Sequence, residues 1–223
     1  MTSGEPAGRD AAAVYLDLVG LVEELVARPE LAAQWNAASA LAEYTCGALA
    51  GHVARSLLVV TTALDDAAAA DSAGAAQAVD AAEYFVAALG DADPITAPVH
   101  QGVRARSAAL AGESAEALRA RVAELAARVR AELPRHGLDE LVPVFGGQTM
   151  RLREFLCTRA VEITVHADDL AVSLGVATPA LPDGAAATAV AVLAEVARRR
   201  HGDAAVLRLL ARRERADDAA RAF

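Results

Sequence analysis

Apolar residues recur at helical spacing along most of this chain, and this periodicity limits the fold more than any other feature. The segment "DAAAVYLDLVGLVEELVA", from Asp10, places Val14, Leu18, Leu21 and Leu25 on one side of a helix. The core must be mainly aliphatic, because 55% of the residues are hydrophobic and only 4% are aromatic. The alternating patterns of strands are almost absent. We therefore predict an all-α fold.

Turn-forming residues divide the rest of the chain into further helical segments. Gly146 and Gly147 mark a bend within a stretch that breaks the helical rhythm, and Pro94 and Pro98 punctuate a predicted loop. The pattern predicts four or five long helices in an antiparallel bundle over residues 10–176 and a short helical C-terminal extension over 177–223. The predicted helices after the first cover residues 45–66, 71–90, 103–133, 150–175, 184–200 and 203–215.

The charge and cysteine content exclude several classes of protein. A net charge of −9 argues against binding to nucleic acid or to anionic membranes. The apolar runs are broken by charge well short of the ~20 residues that a membrane span needs. Cys46 and Cys157 are too few for a disulfide framework, so we expect a cytoplasmic protein. All 21 basic residues are arginine, which together with abundant alanine suggests a high-GC genome.

The segment "RAVEITVHADDLAVSLG", from Arg159, carries the most suggestive polar residues. Glu162 and His166 are four residues apart, so they share one helix face and aim a carboxylate and an imidazole at a common point. This is the arrangement of two metal ligands, although such pairs also occur on solvated faces. Asp169 shares the stripe and can orient an imidazole, and Arg159 can neutralise a carboxylate.

His52 is the candidate for a third ligand. It lies in "ALAGHVARSLL", where small neighbours allow another helix to approach closely. A lone histidine on an apolar helix is more often a hydrogen-bonded core residue than a ligand. Two histidines and one carboxylate would nevertheless leave a coordination position open, as in a catalytic metal site.

The remaining candidates are weaker. Cys46 and Cys157 are displaced around their helices from His52 and Glu162, and we interpret both as small buried residues. We expect the other three histidines to face solvent; they are His100, His136 and His201. The sequence has no GxGxxG motif after a strand, no P-loop, and no GxSxG, CxxC or HExxH motif.

Two blocks together resemble a known family. "LAEYTCGALAGHVA" resembles the DinB-like metal-binding superfamily, and the later block resembles the signature R-x-x-E-x-x-x-H-x-x-D-L of the mycothiol-dependent maleylpyruvate isomerase N-terminal family. In this chain the signature corresponds to Arg159, Glu162, His166, Asp169 and Leu170.

The resemblance implies a DinB-like four-helix bundle that binds a divalent metal, most commonly zinc. It assigns the ligands to His52, Glu162 and His166, and it implies mycothiol, an actinobacterial thiol, as cosubstrate. Isomerases of the family carry a larger C-terminal domain than residues 177–223 provide. In this chain Arg208 and Arg212 of the extension are the candidates to bind a substrate carboxylate.

The implied chemistry is thiol activation by the metal, followed by attack of the thiolate on an electrophilic carbon. The products define either a thiol transferase or an isomerase, with Arg159 and Asp169 as the candidate catalytic residues beside the metal ligands. The expected partners are a small-molecule thiol and an electrophile, with a homodimer as a further option. Hydrolysis or oxygenation at the same metal, a non-catalytic metal-binding bundle and a metal-free bundle remain as alternatives.

Overall fold

A computed structural model describes residues 10–69, 78–89, 95–144, 146–215 and 222 of the chain. These residues are predominantly helical, which confirms the predicted all-α class, with a small two-stranded sheet in addition. The helices are α1 (Ala11–Val26), α2 (Pro29–Ala33), α3 (Cys46–Ala69), α4 (Ala81–Leu89), α5 (Pro98–Ala111), α6 (Ala115–Glu132), α7 (Leu152–Leu174), α8 (Ala185–His201) and α9 (Asp203–Ala211). The strands are β1 (Leu141–Pro143) and β2 (Thr149–Arg151).

Helices α1, α3, α6 and α7 pack around the main hydrophobic core. Helices α1 and α3 each contact both α6 and α7. Each of these helices buries an apolar stripe, as the spacing of its aliphatic residues predicts. Representative members of the shared core are Leu18, Leu57, Val122 and Ile163, all fully buried. Helix α5 packs on α3, whereas α8 packs on α7 and on α4.

The predicted helix 103–133 is wrong, because the chain forms two helices there. Helix α5 begins at Pro98, inside the predicted loop, since proline fits the first position of a helix, where no backbone donor is needed. Gly112 ends it with a φ of 72°. Ser114 then starts α6 by accepting a hydrogen bond from the Ala117 backbone N–H at 3.2 Å.

The predicted helix 71–90 is only partly realised. Residues 71–77 and Gly90 lie outside the described residues, and α4 begins at Ala81 rather than earlier. Asp80 precedes that helix and accepts a hydrogen bond from the Glu83 backbone N–H at 2.8 Å, so it acts as the N-cap.

The stretch around Gly146 and Gly147 is a β-hairpin, which agrees with the predicted bend and the predicted break in the helical pattern. Strand β1 pairs antiparallel with β2, and both glycines have positive φ angles. Helix α7 starts directly after β2 and ends at Gly175, which has a left-handed conformation with φ of 67°. The start lies two residues later than the predicted one, because Met150 belongs to the hairpin.

Helix α3 is long and apolar enough to cross a membrane by length and composition alone. Its Cys46–Ala67 segment has a mean hydropathy of 1.4, which differs from the prediction that every apolar run is too short. Some 67% of this segment is buried inside the protein, as a core helix of a bundle requires.

Gly51 sets how closely α5 approaches α3. A Cβ atom at this position would lie 2.3 Å from the Ser107 carbonyl oxygen and 2.8 Å from the Ala111 Cβ. Both distances are far below van der Waals contact, so only glycine permits the observed packing. The neighbouring residue on α3 is His52, and the approach therefore brings α5 next to this histidine.

We expect Gly51→Ala to lower the free energy of unfolding by about 1–3 kcal/mol, because α5 must move away from α3. Gly20→Ala is the matched control. It lies within α1 with nothing within 4 Å of the added Cβ, and it should raise stability by up to about 1 kcal/mol. Denaturant unfolding of the two variants and the wild type measures both effects. Equal stabilities of the two variants would contradict the packing argument.

Candidate metal centre

Two helices supply the three predicted ligands. Glu162 and His166 lie one turn apart on α7, and His52 lies on α3, which packs against α7. One ligand atom from each residue can be chosen so that all three atoms lie within 4.8 Å of one another. The structure therefore brings together the three side chains that the sequence analysis selected, and we refer to them below as the candidate metal centre.

The spacing of these atoms suits a shared cation. The Glu162 Oε2 atom lies 3.2 Å from His52 Nε2 and 3.6 Å from His166 Nε2. Two ligands that each sit ~2.1 Å from a tetrahedral zinc ion are about 3.4 Å apart. The side chains of His52, Glu162 and His166 are 13%, 22% and 18% exposed, so the centre is largely but not completely enclosed.

Both histidines have a hydrogen-bonding partner at the ring nitrogen that faces away from Glu162. His166 Nδ1 lies 2.8 Å from Asp169 Oδ2, and a carboxylate there accepts the Nδ1–H proton. His52 Nδ1 lies 3.2 Å from the hydroxyl of Ser107, a fully buried residue of α5. With a proton on each Nδ1 atom, both Nε2 lone pairs point towards the Glu162 carboxylate. A cation at this point would take the place of a proton shared between His52 Nε2 and Glu162 Oε2, so the residues present fit a bound metal.

The Glu162 carboxyl group is held in its ionised form. Burial by itself raises its pKa, but the contact with His52 and the positive charge of Arg159 outweigh burial and keep the pKa far below its usual range. An ionised carboxylate is the form that ligates a metal.

The pKa values of the two histidines shift in opposite directions. Burial lowers the pKa of His52 below its ordinary value, despite the opposing effect of Glu162. Burial also acts to lower the pKa of His166, but the hydrogen bond to Asp169 and the charge of Glu162 raise it above the ordinary value.

Arg159 lies beside the centre without pairing to its carboxylates. Its guanidinium stacks over the Phe155 ring at 5.3 Å, and its Nε–H donates to Thr158 Oγ1 at 3.0 Å. Among the described residues it forms no salt bridge with Glu162 or Asp169, and its predicted role stays a prediction. It acts on Glu162 through its charge.

Arg208 lies on α9, which packs mainly on α8, and Arg212 directly follows the end of that helix. Both residues are exposed, and an Arg212 guanidinium N–H donates to the carbonyl oxygen of Ala211 at 2.9 Å. Their role in binding a substrate carboxylate stays a prediction.

Both cysteines are free thiols. Cys46 is buried, as predicted, whereas Cys157 is half-buried beside α8. Among the histidines outside the centre, His201 is exposed, but His100 and His136 are half-buried rather than solvent-facing.

The sequence analysis missed three residues near the centre. Ser107 contacts His52, the Tyr44 ring lies 5.6 Å from the His52 ring, and the Arg55 guanidinium lies within electrostatic range of Glu162. Arg55 follows His52 by three residues, so helical spacing alone could have identified it. Ser107 and Tyr44 belong to other elements, and no local pattern links them to His52.

The comparison with protein families agrees with this geometry. The profile of the mycothiol maleylpyruvate isomerase N-terminal domain matches residues 16–171. The chain belongs to this family. The match spans the whole candidate metal centre and confirms the resemblance inferred from the Arg159–Leu170 signature. No curated protein and no solved structure matches the chain.

We expect Asp169→Asn to lower the pKa of His166 in metal-free protein, because the amide removes the negative charge that stabilises the imidazolium. In the wild type, His166 should titrate above ~6.5 and His52 below it. NMR titration of the histidine ring protons measures these values. An unchanged His166 titration in the variant would exclude Asp169 as the cause.

Proposed function

We propose that this protein is a metal-dependent enzyme that joins a low-molecular-weight thiol, mycothiol, to a small electrophilic substrate. The observation that carries the proposal is the convergence of two imidazole nitrogens and a carboxylate oxygen, in a chain that belongs to the mycothiol maleylpyruvate isomerase N-terminal family. If the thioether product is released, the reaction is an S-transfer. If the adduct rotates and expels the thiol, the reaction is an isomerisation.

In this proposal His52, Glu162 and His166 hold the metal. Two nitrogen ligands and one oxygen ligand suit zinc, and three protein ligands leave a position for a reactant. When bound, a zinc ion would supply the Lewis acidity that lowers the pKa of a thiol to near neutrality. Asp169 accepts the Nδ1–H proton of His166 and so keeps the Nε2 lone pair available.

The thiol in this proposal comes from a second molecule, because the two cysteines of the chain are unsuited to the role. Burial raises the pKa of Cys157 to about 11 and also raises that of Cys46. Both thiols are therefore protonated at neutral pH and are poor nucleophiles. Neither belongs to the candidate metal centre.

Two arginines favour an electrophile that carries a carboxylate. Arg55 and Arg159 come from different helices, and each lies within electrostatic range of Glu162. Their charges balance those of Glu162 and Asp169, so the positive charge of a bound metal would leave the centre attractive to an anion although the chain as a whole is acidic. Arg208 and Arg212 of the C-terminal extension would add to this attraction if the extension closes over the centre.

We further propose a fold assignment, a cellular location and an oligomeric state for the protein. We assign the helices around the main core to a DinB-like antiparallel four-helix bundle over 10–176, with 177–223 as a separate extension. The protein would act in the cytoplasm of an actinobacterium, as a monomer or a homodimer, without nucleic acid or membrane partners.

We expect His166→Ala to abolish zinc binding, from about one ion per chain in the wild type to nearly none, because two ligands cannot retain the metal. His136→Ala is the matched control. His136 also pairs with a glutamate four residues away, at 2.8 Å from Glu140, but lies outside the centre. Elemental analysis after zinc loading and desalting measures the content. Retention of zinc by His166→Ala, or its absence from the wild type, would refute the ligand assignment.

Thiol chemistry is tested with the zinc-loaded protein, mycothiol and a panel of electrophiles that includes a conjugated keto acid, an epoxide and an alkyl halide. We expect mass spectrometry to detect a mycothiol adduct or an isomerised substrate, and the yield to fall at least about 100-fold in His166→Ala. Substrate turnover with water alone would instead identify a hydrolase. Zinc binding without any turnover across the panel would favour a non-catalytic metal-binding protein.

A further inference from the structure

Ser107 is the residue of α5 that reaches the candidate metal centre. It is fully buried, and its hydroxyl lies 3.2 Å from His52 Nδ1. Gly51 allows this approach, because any larger residue there would collide with the Ser107 carbonyl oxygen. Helix α5, which lies outside the main core, thus contacts the candidate ligand His52 through Ser107.

The hydrogen bonds of Ser107 determine the direction of its contact with His52. A serine hydroxyl has one proton to donate and two lone pairs that accept. The proton is directed to the Val103 carbonyl oxygen at 2.8 Å. The two lone pairs then face His52 Nδ1 and the hydroxyl of Tyr44, which also hydrogen-bonds to Ser107. His52 must then be the donor, with its proton on Nδ1, and its Nε2 atom is left with a free lone pair 3.2 Å from Glu162 Oε2.

We propose that Ser107 is a positioning residue that fixes the ring orientation and the Nδ1–H tautomer of His52, so that Nε2 is presented to the metal. For His52, Ser107 therefore plays the part that Asp169 plays for His166, with a neutral hydroxyl in place of a carboxylate. This inference rests on the proposed metal-binding function.

We expect Ser107→Ala to weaken zinc binding about tenfold, because removing a group that orients a ligand commonly costs 10–100-fold in metal affinity and a neutral acceptor lies at the lower end. Thr61→Val is the matched control. It also removes a buried hydroxyl that donates to a carbonyl of its own helix, that of Leu58 at 2.8 Å, but Thr61 is nine residues beyond His52. Competition with a colorimetric chelator measures the zinc affinity of the full chain. An affinity of Ser107→Ala within twofold of the control would overturn the inference.

A spectroscopic measurement separates positioning from a general loss of stability. In the zinc-loaded wild type, long-range ¹H–¹⁵N correlations should show zinc on Nε2 of His52 and a protected Nδ1–H proton close to the Ser107 β-protons. In Ser107→Ala the Nδ1–H resonance should be lost or exchange rapidly. Zinc on Nδ1, no proximity to Ser107, or an unchanged resonance in the variant would overturn the inference even if the variant folds poorly.

The same experiments distinguish failure of this inference from failure of the proposed function. If the wild type binds no zinc, the proposed function fails. The tautomer of His52 in the metal-free wild type then decides the role of Ser107, with Nδ1–H in its favour and Nε2–H against it. If the wild type binds zinc and Ser107→Ala behaves like Thr61→Val, the metal centre stands and only the role of Ser107 is rejected.

Discussion

The ionised carboxylate of Glu162, enclosed between α3 and α7, is the constraint on which the site depends. A charge placed in a helix interface is unfavourable unless partners compensate it. Here part of the compensation comes from the nearby charges of Arg159 and Arg55, while His52 and His166 present ring nitrogens to the carboxylate. Such a residue is a costly choice for packing alone, since an apolar side chain would fill the same space. The arrangement is understandable if a cation completes it.

Close helix packing makes this arrangement possible. Gly51 lets α5 approach α3 so closely that Ser107 reaches the ring of the neighbouring His52. The orientation of one ligand therefore depends on an interface outside the main core, and the orientation of the other depends on Asp169 of its own helix. Gly51 permits the α3–α5 contact, and the next residue, His52, belongs to the candidate metal centre. The stability of that contact and the geometry of the centre are therefore coupled.

The sequence predicted the features that local periodicity controls. Helical spacing placed Glu162 and His166 on one face, and the aliphatic pattern predicted an all-α fold. The break between α5 and α6 was missed because its signals, Gly112 and Ser114, are short and lie within a continuous apolar pattern. Ser107 was missed for a different reason, since its role depends on a tertiary contact more than fifty residues away from its partner. The third ligand could be predicted only as a candidate, and the resemblance to the family selected it.

The polar groups on the two faces of α7 differ in whether they are paired with one another. On the face towards α4 and α8, a cleft of about 490 Å³ is lined by Cys157, Glu195 and Arg199, among others. Arg199 is paired there with Asp80 and Glu195, and the raised pKa of Cys157 keeps its thiol protonated. The cleft therefore has room for a ligand, but its ionic groups neutralise one another. On the face towards α3, Glu162 and the two histidines direct lone pairs at a common point. In the proposed function, the reactants therefore meet between α3 and α7 rather than in this cleft.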